Sequence, residues 1–263
     1  MDDVLRIFRP NEVISKKSSL VLVAGFTAAV LFAWTTLKSP VFPSPLEILT
    51  SFGPLWNMQG LGAELITSMK YNLIGIWMSL IISLTLAYLQ VLPVVRPITS
   101  FVTKLRFIGG VAGVSLIFQV VLGGGYKLRL LLIIFSMTPF LTTTLSNIMD
   151  QIPRDKLNHA RTLRMSPWRA VLEVYIFGTV YEVLEAFRQN ACIAWMMITT
   201  VEGLTRSVGG MGTILLNENK HMELAAVFGI QLLFMTVGFL QDIGIGVVRN
   251  ILCLYGRLKL VGR

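Results

Sequence analysis

Two groups of ionisable residues in this chain have the spacing to act together. Glu182, Glu185 and Arg188 stand at i, i+3 and i+6 in a mostly apolar stretch, so Glu185 and Arg188 can pair on one side of a helix. The larger group is segment 152–168, IPRDKLNHARTLRMSPW, a charged stretch between two long apolar runs. Side chains of these kinds suit ion pairing, gating or docking.

No sequence motif for bond-making chemistry accompanies them. The chain lacks the GxxxxGK[ST] loop that cradles ATP phosphates, and it lacks HExxH, GxSxG and zinc-binding patterns. His159 and His221 are isolated, and Cys192 and Cys253 are far apart within apolar stretches. We therefore expect no enzyme activity, no cofactor, no metal and no disulfide framework.

The composition is that of a protein embedded in a lipid bilayer. Of 263 residues, 54% are hydrophobic and 14% are charged, whereas soluble domains carry roughly 25% charged residues. The net charge of +9 raises the possibility of nucleic-acid binding. We reject that possibility, because the basic residues lie between apolar runs and form no continuous face. The expected fold is therefore an all-α integral membrane protein.

Apolar runs predict six membrane spans, since about 20 helical residues cross roughly 30 Å of hydrocarbon. The fifth run is free of charge only over 189–201, which is too short, so it must extend back through Arg188, Glu185 and Glu182. The predicted organisation is a polar arm over 1–19, a membrane domain over 20–253 and a basic tail over 254–263. The six spans fall at about 18–37, 71–95, 107–126, 130–149, 182–201 and 224–248.

The distribution of Lys and Arg predicts the orientation. With the N-terminus in the cytoplasm, sixteen basic residues fall on the inner side and six on the outer side. Arg96, Lys104 and Arg106 then belong to a cytoplasmic loop between the second and third spans. Segment 152–168 and both termini are placed in the cytoplasm as well.

Segment 152–168 has the pattern of a short amphipathic helix at about 153–166. Pro153 suits the first helical position, and Asp155 stands in the first turn, where the helix dipole favours an anion. An apolar stripe recurs at helical spacing, and Ser166-Pro167 is expected to end the helix.

This segment resembles the cytoplasmic loop of ABC importer permeases. That loop carries Glu-Ala-Ala, a glycine four residues on, and an apolar-proline ending. Residues 158–160 (Asn-His-Ala) fall on the first three positions, and 161–163 match the usual continuation. Arg164 stands at the glycine position, where close approach is expected, and Phe177 stands at the proline position.

Three further stretches are similar to the nitrate, taurine and sulfonate branch of these permeases. They are FPSPLEIL at 42–49, the series Ser68, Asn72 and Gly75, and Glu202 followed by Gly-Met-Gly at 210–212. The resemblance extends over roughly 42–257.

The resemblance implies a subunit of a type I importer in the bacterial inner membrane. Its partners would be ABC ATPase subunits, a second permease chain in a homodimer or heterodimer, and an extracytoplasmic substrate-binding protein. The solute would be small, with anions as one class. The residues expected to dock on the ATPase are Leu157, Asn158, His159, Ala160, Arg161, Leu163 and Arg164.

Several polar residues are candidates for the solute path or its gates: Glu182, Glu185, Arg188, Gln119 and Glu202. Each has an alternative role. The first three could be solvated charges of an interfacial helix, Gln119 could join helices, and Glu202 could mark the membrane surface. The chain as a whole could instead be a non-transporting membrane scaffold, or a secondary transporter or channel that works alone.

Overall fold

The computed structural model describes residues 16–36, 42–108 and 111–253. These residues form helices and their connections, with no β-strand among them. The predicted all-α class is therefore confirmed for the described part of the chain. Residues 1–15 of the predicted arm and the whole predicted tail, 254–263, lie outside it.

Eleven α-helices follow one another along these ranges. They are α1 (Lys16–Thr36), α2 (Pro45–Met58), α3 (Leu61–Leu89), α4 (Arg96–Lys104), α5 (Val111–Leu122), α6 (Tyr126–Asp150), α7 (Arg154–Thr162), α8 (Pro167–Ala170), α9 (Val180–Leu204), α10 (Met211–Lys220) and α11 (Leu224–Leu252). Short 3-10 helices cover Leu105–Phe107, Phe177–Thr179 and Arg206–Val208, and a π-helix covers Val171–Ile176.

Four of these helices are long and apolar enough to cross a membrane: α1 from Ser18, α3, α6 and α11. This supports the membrane class, although six spans were predicted. Helix α9 has 25 residues, as many as α6, but it carries Glu182, Glu185, Arg188 and Glu202 and is not one of the four.

Two predicted spans differ in their course. The second runs over Leu61–Leu89 rather than 71–95, because Glu64 and Lys70 lie within the helix instead of preceding it. A single helix over 107–126 is not present. Helix α4 ends at Lys104, a 3-10 turn follows, and Ile108 is extended with φ −67° and ψ 95°. Helix α5 then has only 12 residues.

The bundle is built around α6, which packs against α3, α4, α5 and α9. Helices α3 and α6 run parallel and touch through small residues: the Ser83 hydroxyl donates to the Thr138 carbonyl at 3.2 Å and accepts from the Thr142 hydroxyl at 3.0 Å. Small side chains let helices approach closely where no hydrophobic effect drives them together. Helix α9 runs antiparallel to α6 and pairs with α11 on its other side.

Helix α1 stands apart from this bundle. None of its residues from 18 to 36 is buried, and Leu20, Phe26 and Phe32 are at least 70% exposed. A hydrogen bond connects α1 to the segment that follows it: the Trp34 indole donates to the Pro43 carbonyl at 3.1 Å. A helix that is apolar on all sides and uncovered by protein suits contact with lipid.

The close contact of α3 with α6 gives a packing prediction. A side chain at Gly75 would meet Ile133, whereas one at Gly25 in α1 would meet nothing within 4 Å. We expect Gly75→Val to lower the free energy of unfolding in detergent by about 1–3 kcal/mol, because overpacking forces the helices apart. Gly25→Val is the matched control and should have little effect. Equal effects of the two substitutions would contradict this packing.

Candidate functional site

Three groups of polar side chains lie at successive levels between the two ends of the bundle. One end of the bundle carries α7, and we call it the α7 end. Helices α3, α6 and α11 end there, and α9 begins there. At the opposite end α9 finishes and the loop to α10 closes over the bundle. The three levels are described from that opposite end.

The level at the opposite end is built on Arg129, whose side chain is fully buried. Its Nε donates to the Thr205 hydroxyl at 3.1 Å, and its Nη2 donates to the carbonyls of Thr205 and Gly209. Its Nη1 is 3.7 Å from Oε1 of Glu202, which is equally buried. The guanidinium also lies 5.1 Å from the centre of the Tyr71 ring.

Glu202 and its neighbours hold the loop that joins α9 to α10. Oε2 of Glu202 accepts from the Ser68 hydroxyl at 2.9 Å and from the Gly212 amide at 2.8 Å. Oε2 of Glu64 accepts from the Gly210 amide. Helices α3, α6 and α9 therefore all bind this loop through charged or polar side chains.

Glycine is required at two positions of this loop. Gly209 and Gly210 have φ of 77° and 107°, a region that side chains with a Cβ rarely adopt. A Cβ at Gly210 would also overlap the Glu202 carboxylate. Glu202 thus lies buried under the loop, not exposed at a membrane surface. Whether it also gates a path stays a prediction.

The middle level joins three helices through one amide. Oε1 of Gln241 accepts from the Trp195 indole at 2.7 Å and from the Asn72 amide at 3.2 Å. Gln241 was missed, although it stands beside Asp242, the lone charge of its apolar run.

The level nearest the α7 end is an ion network between α9 and α11. Arg188 donates to Glu185 at 2.8 Å and to both oxygens of Asp242 at 3.0 and 2.8 Å. Arg249 donates to Glu185. Two carboxylates and two guanidinium groups thus balance each other in a region where an isolated charge would be costly.

The ion pair expected from the spacing of Glu185 and Arg188 is therefore present, but its partners on α11 were not foreseen. Glu182 lies one turn earlier on α9 and is half-buried. Glu202 is 14 residues beyond Arg188, or roughly 21 Å along the helix. Gln119 is exposed on α5. The five predicted path residues thus belong to several places and form no single cluster.

An open groove of about 730 Å³ runs between α9 and α11. Trp195, Met196 and Thr199 line one side, and Gln231, Phe234 and Asp242 line the other. The groove is mostly apolar, and the ion network borders it through Asp242. Among the described residues, no three His, Cys, Asp or Glu side chains form a group that could hold a metal ion.

Segment 152–168 forms a shorter helix than predicted. Helix α7 covers Arg154–Thr162, so Pro153 precedes it as the N-cap residue. The helix ends before Ser166-Pro167, because Arg164 adopts a left-handed conformation with φ 53°. The Met165 amide then bonds back to the Ala160 carbonyl at 3.2 Å, which closes the helix end. Ser166 instead caps α8, with Pro167 in its first turn.

This geometry gives a different reason for the glycine that the resemblance expects at Arg164. The position needs a positive φ, which glycine adopts without strain. Of the docking residues, Ala160 is buried and Leu157 is half-buried against the chain. The exposed members are Asn158, His159, Arg161, Leu163 and Arg164.

Residues 171–179 are helical: the π-helix Val171–Ile176 and a 3-10 turn join α8 to α9 without an intervening loop. The Thr179 hydroxyl donates to the Tyr175 carbonyl within this transition. Helical backbone therefore continues from Pro167 to Leu204.

Comparison with known proteins adds no assignment. The chain matches no family model, and no curated protein is significantly similar to it.

The buried pair of Arg129 and Glu202 gives a stability prediction. Glu202→Gln leaves the Arg129 guanidinium buried without its counter-charge, so the free energy of unfolding in detergent should fall by about 3 kcal/mol. Glu173→Gln is the matched control, because Glu173 pairs with Arg169 at 3.4 Å on the exposed surface. Exposed pairs contribute at most about 1 kcal/mol. A similar loss in both variants would contradict this role of Glu202.

The left-handed residue at the end of α7 gives a second prediction. Arg164→Gly removes a conformational strain of about 1 kcal/mol, so hydrogen exchange of the α7 amides should slow by about fivefold. Lys156→Gly, within the same helix, should speed that exchange, because glycine disfavours helix interiors. Faster exchange in Arg164→Gly would show that the strain is absent.

Proposed function

We propose that this chain is the permease subunit of an ATP-driven importer, related to the branch that handles nitrate, taurine and sulfonates. The observation that carries the proposal is the succession of helical segments from Pro167 to Leu204 without an intervening loop. This course begins next to α7, the candidate docking helix, and ends at the buried loop of the opposite end. A displacement of α7 would therefore act directly on the central helices.

Six spans can be assigned to this bundle. Helices α1, α3, α6 and α11 are four of them. We assign the fifth to α9, whose 25 residues reach roughly 37 Å and whose Glu185, Arg188 and Glu202 are paired within the bundle. We assign the remaining span to α4 and α5 together, since both pack along α6. The third span is then a discontinuous one.

Helix α7 has the form that a docking element needs. Ala160 and Leu157 anchor it to the chain, while Arg161, Leu163 and Arg164 face outward. Exposed basic groups beside an apolar side chain suit a cleft that offers both carboxylates and an apolar floor. Motion of α7 would reach the network of Glu185, Arg188 and Asp242, which ties α9 to α11.

The remaining parts of the proposal follow from the resemblance and from the distribution of basic residues. The α7 end and both termini face the cytoplasm of a bacterium, and the chain lies in the inner membrane. A second permease chain, two ATPase subunits and an extracytoplasmic binding protein complete the importer. The solute is small, and the groove between α9 and α11 is a candidate part of its path.

Charge reversal on α7 tests the docking role. We expect the double variant Arg161→Glu/Arg164→Glu to lose ATPase subunits on affinity purification while it inserts into the membrane normally. The matched control is Lys127→Glu/Lys220→Glu, which makes the same charge change on exposed residues of the opposite end. The readout is the ATPase-to-permease ratio in the purified sample.

An unchanged ratio in the α7 variant would refute docking through this helix. Purification of the wild-type chain with its native partners distinguishes the broader alternatives. A scaffold would bring down no ATPase and would show no transport in vesicles. A secondary transporter or channel would transport its solute without any ATPase.

A further inference from the structure

Helix α2 has three distinct sides, because its residues recur in stripes at intervals of three and four positions. The inward side holds Ile48 and Leu55, which are buried, with Ser51 and Phe52 half-buried beside them. An exposed apolar stripe follows on one flank: Leu46, Leu49, Gly53 and Trp56. An exposed and mostly polar stripe lies on the other flank: Glu47, Thr50, Pro54 and Asn57. The two exposed stripes are displaced from each other by one residue.

Helix α2 is held firmly in one orientation. At its start the Glu47 amide donates to the Ser44 hydroxyl at 3.3 Å, and the Ser44 amide donates to the Glu47 carboxylate at 2.9 Å. In its middle the Ser51 hydroxyl donates to a carbonyl of α11 at 3.3 Å. After its end the Gln59 amide donates to Glu218 of α10 at 2.7 Å. The directions in which the two exposed stripes face are therefore fixed by the bundle.

Helix α2 crosses α11 rather than following it. Phe42 and Ser51 are nine residues apart, yet both contact the first two turns of α11. The Phe42 ring lies 6.0 Å from the Phe228 ring, and Ser51 lies against Ala225 and Gly229. A helix that ran alongside α11 would meet residues progressively further along it. Helix α2 is thus oriented across the direction of this candidate span.

Three candidate spans reach the end of the bundle at α2. Helix α1 is bonded through Trp34 to Pro43, two residues before α2 begins, and α3 begins at Leu61, three residues after α2 ends. Helix α11 begins at Leu224, and its contact at Gly229 lies only about 8 Å further along its axis. The 29 residues of α11 reach roughly 43 Å, which exceeds the ~30 Å of hydrocarbon by about 13 Å. The first turns of α11, and α2 with them, therefore lie at the level of the lipid headgroups.

The apolar stripe lies on the flank of α2 that is next to α3. A Cβ at Gly62, in the first turn of α3, would be 3.0 Å from the Trp56 ring. Leu46 and Leu49 are 73% and 68% exposed, and Trp56 is 55% exposed. Tryptophan is enriched at the boundary between headgroups and acyl chains, because its ring is apolar and its N–H is polar.

We propose that α2 lies in the plane of the membrane interface and binds lipid through its apolar stripe. Leu46, Leu49 and Trp56 reach the acyl chains, while Thr50 and Asn57 face water. Interfacial helices bury their apolar side about 5–10 Å into the boundary between headgroups and acyl chains. The inference requires that the chain span a membrane, but it goes beyond the importer and does not depend on it.

Lipid fits this stripe better than a protein partner does. A stable protein interface buries roughly 800 Å² on each partner, which is more than four side chains, one of them glycine, can supply. The polar stripe directly beside it would have to be buried as well in a larger interface. A lipid interface instead accepts an apolar and a polar stripe side by side, because it is itself divided into hydrocarbon and water.

The test measures the depth of each stripe in the full-length chain, reconstituted in nanodiscs of phosphatidylcholine and phosphatidylglycerol. Single spin labels are attached in a Cys192→Ser/Cys253→Ser background at Leu49→Cys or at its matched control, Thr50→Cys. Both positions are exposed and adjacent in the chain, but they belong to different stripes. Collisions with oxygen, which enters lipid, and with a nickel chelate, which stays in water, are then compared.

We expect the ratio of oxygen to nickel collisions to be at least about threefold higher at Leu49 than at Thr50, because only the apolar stripe is submerged. Leu46→Cys and Asn57→Cys form a second pair with the same expectation. This pair decides the question if a variant of the first pair does not fold.

Three outcomes would overturn the proposal. Equal ratios with ready nickel access at both positions would place α2 above the bilayer, where it faces water or a binding protein. Equal ratios with nickel excluded from both would bury the whole helix in lipid or protein. Spin–spin broadening between Leu49 labels would show that a second copy covers the stripe. Co-purification of an ATPase is a separate readout, so the importer can fail while this inference holds, and the reverse.

Discussion

Charge buried in an apolar bundle must be compensated in place, and this constraint shapes the structure around Arg129. The guanidinium is inaccessible to solvent. Its Nε and Nη2 donate to Thr205 and Gly209, and the Glu202 carboxylate lies 3.7 Å from Nη1 as its counter-charge. Glu202 in turn accepts from the Gly212 amide in the first turn of α10. The pair therefore fixes where α9 stops and how the chain returns towards α10, and removal of either charge would leave the other unsolvated.

The same constraint explains the other end of α9. Arg188 is shared between Glu185 on its own helix and Asp242 on α11, and Arg249 adds a second cation. These bonds make α9 and α11 one unit near α7.

Parts of the fold were predictable because they depend on local sequence. Apolar runs marked the helices α1, α6 and α11 to within a few residues, and the spacing of Glu185 and Arg188 predicted their ion pair. The end of α7 was misplaced, because a positive φ at an arginine has no sequence signature. The third span was misread for a related reason: an apolar run does not show that its helix is interrupted at Ile108.

The sequence by itself determined that the chain is helical and suited to a membrane, since hydropathy and the spacing of apolar residues are properties of neighbouring residues in the chain. It also determined that segment 152–168 is a basic stretch between apolar runs. Only the tertiary structure decided which charges meet. Arg129 and Glu202 are 73 residues apart and Arg188 and Asp242 are 54 apart, so their pairing depends on helix packing that no local pattern encodes.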